Sequence, residues 1–283
     1  MIIVRMSGGI GNQLFQYAAS MNIARNNKFP LFFDISSYSS SSIRSFCLSE
    51  LCSTVPILPK QYVKTLVEPN NFILKKISTY FDWHRIPKIV DSKKGFDPEI
   101  ANINFPCYLK GSFISFKYFE SFNDTFIDSL FFSEEIKRLA FKSISEFLHL
   151  NLVCVSVRRG DFLNYESLNV CTKNFYEQSI LQARSLLDNP HFLFFSDDIA
   201  WVRSNFSSSD FLFWDVKDYN IIMKLYAMSL CKHYIISNSS YSWWGAWINR
   251  NDNKKVFCSS KVESDDSFPI NDYYPESWFR IDP

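Results

Sequence analysis

The sequence predicts an α/β protein made of two successive doubly wound halves, each a parallel sheet covered by helices. Three observations carry that prediction. Short apolar or β-branched runs recur along the 283-residue chain and end abruptly in glycine, serine, arginine or aspartate. Between these runs apolar residues return at helical spacing. The same strand–helix alternation occupies both sides of Leu150, which divides the chain into residues 1–150 and 151–283.

Composition sets further bounds. A hydrophobic content of 47% and an aromatic content of 18% supply a packed interior and exclude a disordered chain. A formal charge of +1 argues against a general nucleic-acid binder. The seven cysteines are odd in number and form no CxxC, so they read as reduced core thiols, not as disulfides or a zinc site. The N-terminus meets Arg5 and Gly8 too soon for a signal peptide, and no apolar run approaches the ~20 residues that span a bilayer. A soluble or peripheral protein is expected.

In chain order, Ile2-Ile3-Val4 reads as a strand and Ser7-Gly8-Gly9-Ile10-Gly11-Asn12-Gln13 as the loop after it. Leu14, Ala18 and Met21 then mark a helix, and Leu31-Phe32-Phe33-Asp34 the next strand. The loop is not a dinucleotide fingerprint, which would need glycine where Leu14 stands, and no GK[ST] follows it. Its glycines suit either close approach of a ligand or neighbouring domain, or simply a tight strand-to-helix turn. Tyr38 to Ser42 reads as a serine-rich loop. Residues 57–94 hold eight basic and three acidic residues with interleaved aromatics, a local +5. That stretch is either a solvated basic face or a contact for an anionic membrane. Tyr108 to Phe113 is a further strand candidate, and a polar helical segment from Glu134 to Leu150 closes the first half.

The second half opens on Val153-Cys154-Val155-Ser156-Val157, a buried strand that exits through Arg158-Arg159-Gly160-Asp161. Two guanidiniums at a strand's carboxyl end suit an anion in the crevice where open α/β sheets bind ligands, phosphate above all. The plain alternative is an Arg159–Asp161 surface pair. Phe175, Ile180, Ala183 and Leu187 mark a helix, and Phe192 to Phe195 a strand ending in Ser196-Asp197-Asp198. Ile222, Leu225, Tyr226 and Ser229 mark another helix, and Tyr234-Ile235-Ile236 a strand that runs into Ser237-Asn238-Ser239-Ser240. Trp243, Trp244 and Trp247 fall on more than one helical face, which suggests a buried helix more than a sugar platform.

If the strands are parallel, Arg158/Arg159/Asp161, Asp197/Asp198 and Asn238/Ser239/Ser240 lie along one sheet edge. A nucleotide-diphosphate sugar needs such a set: hydroxyls and free N–H groups for phosphate oxygens, carboxylates for ribose, arginine for the departing charge. Asp197/Asp198 and Ser239/Ser240 equally suit helix N-caps.

The chain resembles the bacterial α-1,2-fucosyltransferases of glycosyltransferase family 11. The resemblance rests on Gly8-Gly9-Ile10-Gly11-Asn12-Gln13-Leu14-Phe15-Gln16-Tyr17-Ala18, Val157-Arg158-Arg159-Gly160-Asp161-Phe162, Phe195-Ser196-Asp197-Asp198, and the run from Ser237 to Trp247. It implies a GT-B architecture, two Rossmann-like domains facing a central cleft, with 1–150 on the acceptor side and 151–283 binding the donor. It implies an inverting, metal-independent transfer from a GDP-6-deoxyhexose, GDP-L-fucose first, to a sugar hydroxyl, commonly the 2-OH of galactose. Building a bacterial surface polysaccharide such as an O-antigen follows from it. By the same resemblance Arg158 grips the β-phosphate, Arg159 and Asp161 hold the crevice, and Asp161 is a candidate for activating the acceptor hydroxyl. Ser239 and Ser240 bind diphosphate oxygens, with Asn238 beside them, and Asp197 and Asp198 lie near the nucleoside. Gly9, Asn12 and Gln13 approach the reacting sugar. No cofactor or metal is implied, and the sequence offers no DxD in a fitting setting.

Two positions depart from the family. Ser156 stands where it has histidine, in the donor-binding set, and Lys224 where it has an acidic residue; in related fucosyltransferases both positions help recognise guanine. A lysine cannot accept the ring N–H bonds that a carboxylate accepts. GDP-colitose, a deoxy version of fucose, is an alternative donor, and a catalytically silent nucleotide- or glycan-binding protein is a second alternative. A lipid-linked oligosaccharide acceptor would make 57–94 a docking surface at the inner face of the bacterial inner membrane. The chain lacks the anchor and stem of a Golgi-resident enzyme, which favours a cytoplasmic setting.

Overall fold

The computed structural model describes residues 1–38, 44–52, 55–67 and 88–283, with backbone alone for 64–67. The serine-rich loop beyond Tyr38 and most of the basic stretch 57–94 lie outside the described residues. The described chain divides into two compact units, Met1–Phe131 and Phe132–Pro283. The division precedes the expected boundary at Leu150. The Glu134–Ile144 helix, which the sequence assigned to the first half, packs its buried Ala140 and Ile144 within the second unit, against the Ile221–Ser229 helix.

In the first unit β1 (Ile2–Arg5), β2 (Leu31–Asp34), β3 (Lys88–Asp91) and β4 (Cys107–Lys110) form one parallel sheet in the order β2-β1-β4-β3. Ile2, Ile3 and Val4 are wholly buried, as a central strand covered on both faces requires. The helix Ile10–Asn27 begins directly after Gly9, four residues before the apolar face starts at Leu14. Gly8 makes this entry feasible: its φ of +76° is left-handed, and a methyl group there would stand 2.6 Å from Asn12 Nδ2. The strand expected over Tyr108–Phe113 ends at Lys110, because Gly111 turns the chain at φ +145°. β3 is a four-residue edge strand with charged ends, hidden from a periodicity reading by its own lysine and aspartate.

In the second unit β5 (Asn151–Val157), β6 (Pro190–Ser196), β7 (Phe211–Phe213), β8 (His233–Ile236), β9 (Val256–Ser259) and β10 (Phe279–Ile281) pair in the order β10-β9-β8-β5-β6-β7. Every neighbouring pair is parallel. This is the doubly wound order of dinucleotide-binding folds, in which the chain reverses direction between its first and fourth strands. Those strands are β5 and β8, so the ligand crevice belongs at their carboxyl ends. Val153, Val155 and Val157 point into a core with Phe175, Ile180 and Phe194, while the alternate positions of β5 face the opposite layer. There the Ser240–Trp247 helix is buried, with Trp243 stacked on Trp247 at 4.5 Å and its Nε1 donating to Tyr273 O. All seven cysteines are unpaired thiols, five of them buried.

Candidate active site

At the end of β5 the backbone passes Val157 and presents Arg158 and Arg159 to the crevice side of the sheet. Arg158 lies between two carboxylates. Its Nη2 donates to Asp161 Oδ1, and its Nη1 stands 2.6 Å from Asp197 Oδ2. Asp197 also accepts the Arg159 N–H on Oδ1 at 2.9 Å, so one aspartate beyond β6 fixes both arginines of the loop beyond β5. A methyl group on Gly160 would fall 2.6 Å from Asp197 Oδ2 and displace that carboxylate from the guanidinium.

Arg159 is committed to the scaffold. Its Nε donates to Asp198 Oδ2 at 3.3 Å, and its guanidinium carbon lies 3.8 Å above the Trp201 ring. Asp198 Oδ1 accepts from Trp201 N and caps the Ile199–Asn205 helix, so of its two sequence readings the cap is the one observed. The Arg159–Asp161 surface pair is replaced by Arg158–Asp161.

Beyond β8, Ser239 caps the Ser240–Trp247 helix, its Oγ accepting from Tyr241 N at 3.3 Å. The helix N-terminus therefore opens at the crevice beside Arg158, with the positive end of its dipole toward any anion there. At the other end Lys254 Nζ donates to the carbonyl oxygens of Ala246, at 3.0 Å, and Asn249. Burial lowers the Lys254 ammonium to about 8.

Two residues expected to meet the donor have their polar atoms engaged elsewhere. The Ser156 hydroxyl lies 2.7 Å from Ser242 Oγ, which in turn lies 2.9 Å from Ser237 Oγ. This buried chain of hydroxyls ties β5 and β8 to the helix, and with Ser156 only 5% exposed it is a fastening. Asn238 Nδ2 donates to Leu168 O at 3.0 Å and Val262 O at 2.8 Å, while its Oδ1 accepts from the Cys171 thiol. It clamps two loops together.

In the first unit Gln13 is similarly saturated. Its Nε2 donates to Gly8 O and Ser45 O, and its Oε1 accepts from Cys47 N and Leu48 N. Four bonds leave its amide no capacity for a sugar. Asn12 is half-buried against Gly8, and Gly9 is open above its Cα, where a methyl group would meet only Arg44 Cδ at 3.9 Å. Sequence reasoning found Arg158, Arg159, Asp161, Asp197 and Asp198 as one cluster, and the structure brings these five together. Lys224 entered the sequence reading only as a departure from the family's acidic residue; its second signal, a lone cation in an otherwise apolar helix run, was not used.

These features match a known family. The model of glycosyl transferase family 11 aligns with residues 1–282. The chain belongs to this family. It is 31% identical over 303 residues to an Escherichia coli protein named alpha-1,2-colitosyltransferase, covering 99% of each chain. It is 27% identical over 288 residues to the E. coli O-antigen biosynthesis glycosyltransferase WbnK, covering 90% of this chain and 93% of that one. In structure it resembles the fucosyltransferase NodZ from Bradyrhizobium, with a TM-score of 0.54 at 14% identity, covering 86% of this chain and 92% of NodZ. That likeness shows the GT-B-type fold expected from the sequence. The family 11 membership makes the chain a glycosyltransferase.

Proposed function

We propose that this glycosyltransferase moves L-fucose from GDP-L-fucose to a sugar hydroxyl, the 2-OH of a galactose, with inversion and without a metal, during O-antigen synthesis. The observation that carries the reading is Arg158 held between two carboxylates at the β5–β8 reversal, beside the N-terminus of the Ser240–Trp247 helix. A half-exposed ion pair contributes only about 0–1 kcal/mol, so a diphosphate oxygen can take the place of Asp161 on Nη2 at little cost. Asp161, with its side chain 38% exposed against 20% for Asp197, is the partner that gives way.

The chemistry follows from that exchange. The released Asp161 carboxylate takes the proton of the acceptor hydroxyl as its oxygen attacks the anomeric carbon. The bond from that carbon to the diphosphate breaks on the opposite face, and its electron pair departs with GDP. Arg158 and the helix N–H groups stabilise the developing charge, the task a metal performs elsewhere. Ser239 and Ser240 supply backbone N–H groups at the helix start, while Asn12 and Gly9 belong to the acceptor-side unit. A lipid-linked oligosaccharide at the inner membrane surface would bring the basic residues of 57–94 toward anionic headgroups.

A second donor has a specific observation in its favour: the 31%-identical relative carries colitosyltransferase in its name. GDP release from GDP-fucose and GDP-colitose, measured over a panel of galactose-terminated acceptors, separates the readings. Faster acceptor-dependent release from GDP-fucose supports the first, and faster release from GDP-colitose the second. GDP binding without transfer from either donor would leave the silent binding protein.

A further inference from the structure

The first turn of the Ile221–Ser229 helix carries a lysine among apolar neighbours, in the run Ile221-Ile222-Met223-Lys224-Leu225. Lys224 is 5% exposed, so its ammonium is almost wholly withdrawn from water. Such burial is costly unless the charge is paired or hydrogen-bonded. Its Nζ donates to Ser196 O at 3.0 Å, and the Tyr219 and Trp214 ring centroids lie 5.0 and 5.7 Å away. Of three N–H donors, one meets an oxygen acceptor among the described residues. The group is thus held in place without being fully satisfied.

Its one acceptor matters. Ser196 is the last residue of β6, and Asp197 follows it directly. Asp197 accepts the Arg159 N–H on one oxygen and pairs with Arg158 Nη1 on the other. A line of contacts therefore runs from the ammonium through the Ser196 carbonyl and the Asp197 carboxylate to the Arg158 guanidinium. We infer that Lys224 is a positioning residue: it anchors the carboxyl end of β6 and so holds Asp197, and through it Arg158, in the geometry that grips the diphosphate. The inference rests on the reading of this crevice as the donor site.

The groups around Lys224 define a pH response. Burial lowers its ammonium to about 8; Asp197 and Cys154 favour the charged form and Arg158 opposes it. Tyr219 and, from the Ser240–Trp247 helix, Tyr241 complete the cluster, and burial pushes both phenols up. Burial also pushes the Cys154 thiol well up. The Glu134–Ile144 helix, packed on the same helix, carries Lys137, whose ammonium pairs with Glu134 at 2.8 Å. The Lys224 charge is therefore present below about pH 8 and lost above it. A bound diphosphate favours the protonated ammonium, so binding near that pH draws in a proton.

Calorimetric titration with GDP at pH 7 and 9, and at pH 8 in two buffers of different ionisation enthalpy, tests this on the whole chain. The wild type is expected to bind about ten-fold more weakly at pH 9 than at pH 7 and to take up a fraction of a proton at pH 8. Lys224→Met is expected to bind about ten-fold more weakly at pH 7, with no change at pH 9 and no proton uptake. Lys224→Arg keeps the charge at every pH, so it should keep the affinity at pH 7 and lose the pH dependence. Titration of the nucleotide itself is common to all three proteins. Should Lys224→Met fail to fold, the arginine variant decides alone. Wild-type affinity in Lys224→Met at pH 7, or a fall in affinity from pH 7 to pH 9 in either variant as large as that of the wild type, overturns the inference. Absence of GDP binding to the wild type overturns the donor-site reading, and the inference with it.

Discussion

Arg158→Ala should lower the transfer rate by about a thousand-fold or more while leaving the fold and melting temperature near those of the wild type. Removing a single preorganised donor from a developing anion costs about a hundred- to a thousand-fold in rate. Arg158 provides a charged, two-sided donor, so the loss belongs at or beyond the upper end of that range. The stability effect is small for a different reason. The Arg158 side chain is 26% exposed and its carboxylate partners 38% and 20%, so each pair contributes about 1 kcal/mol or less. Asp197 also keeps its bond from the Arg159 N–H in the variant. Arg158→Lys should recover only a minor part of the rate, because an ammonium cannot bridge Asp197 and a phosphate oxygen in one plane. Single-turnover release of GDP, read beside a thermal melt, checks both halves. Undiminished turnover would place the departing charge elsewhere.

Trp243→Ala should destabilise the protein by about 3–5 kcal/mol, a large part of the roughly 5–15 kcal/mol that holds a domain folded. The indole is fully buried and lies within 6.3 Å, centroid to centroid, of Trp244, Trp247, Tyr273 and Trp278. Its Nε1–H bond to Tyr273 O, 2.8 Å long, ties the helix that presents Ser239 and Ser240 to the chain beyond β9. Truncation leaves a cavity and strands that carbonyl. Urea denaturation measures the loss directly. A variant with wild-type stability but weakened acceptor binding would instead restore the sugar-platform role that the burial of Trp243 argues against.

Much of the fold was legible because the central strands of both sheets are covered on two faces. β1, β5, β6 and β8 read as apolar runs for that reason, and their polar exits named the crevice residues. β7 and β10 were missed as three-residue edge strands, and β3 because charged residues bound it. β9 is buried throughout, but its four residues follow a polar run and resemble a short loop hydrophobe. The domain boundary slipped because a polar helix can close one unit or open the next. Only its packing against the Ile221–Ser229 helix decides which.

Site residues divided along similar lines. Arg158, Asp161 and Asp197 announced themselves by charge at strand ends. Whether a neutral side chain is free or engaged depends on which distant segment returns to it. Gln13 is saturated by backbone from Ser45 to Leu48, Asn238 by Leu168 and Val262, and Ser156 by a hydroxyl 86 residues along the chain. No local pattern encodes those returns. Lys224 shows the converse: an apparent misfit in an apolar helix becomes intelligible once Ser196 and Asp197 are placed beside it.

Arg158, at the β5–β8 crevice, is the proposed grip on the diphosphate of a GDP-sugar. Calorimetric titration of the wild type and Arg158→Ala with GDP, UDP and dTDP tests it most directly. Saturable GDP binding is expected in the wild type, and binding of all three nucleotides should weaken by about a hundred-fold in the variant, near 2.7 kcal/mol, because Arg158 holds the diphosphate they share. Equal GDP affinity in the wild type and Arg158→Ala would contradict it.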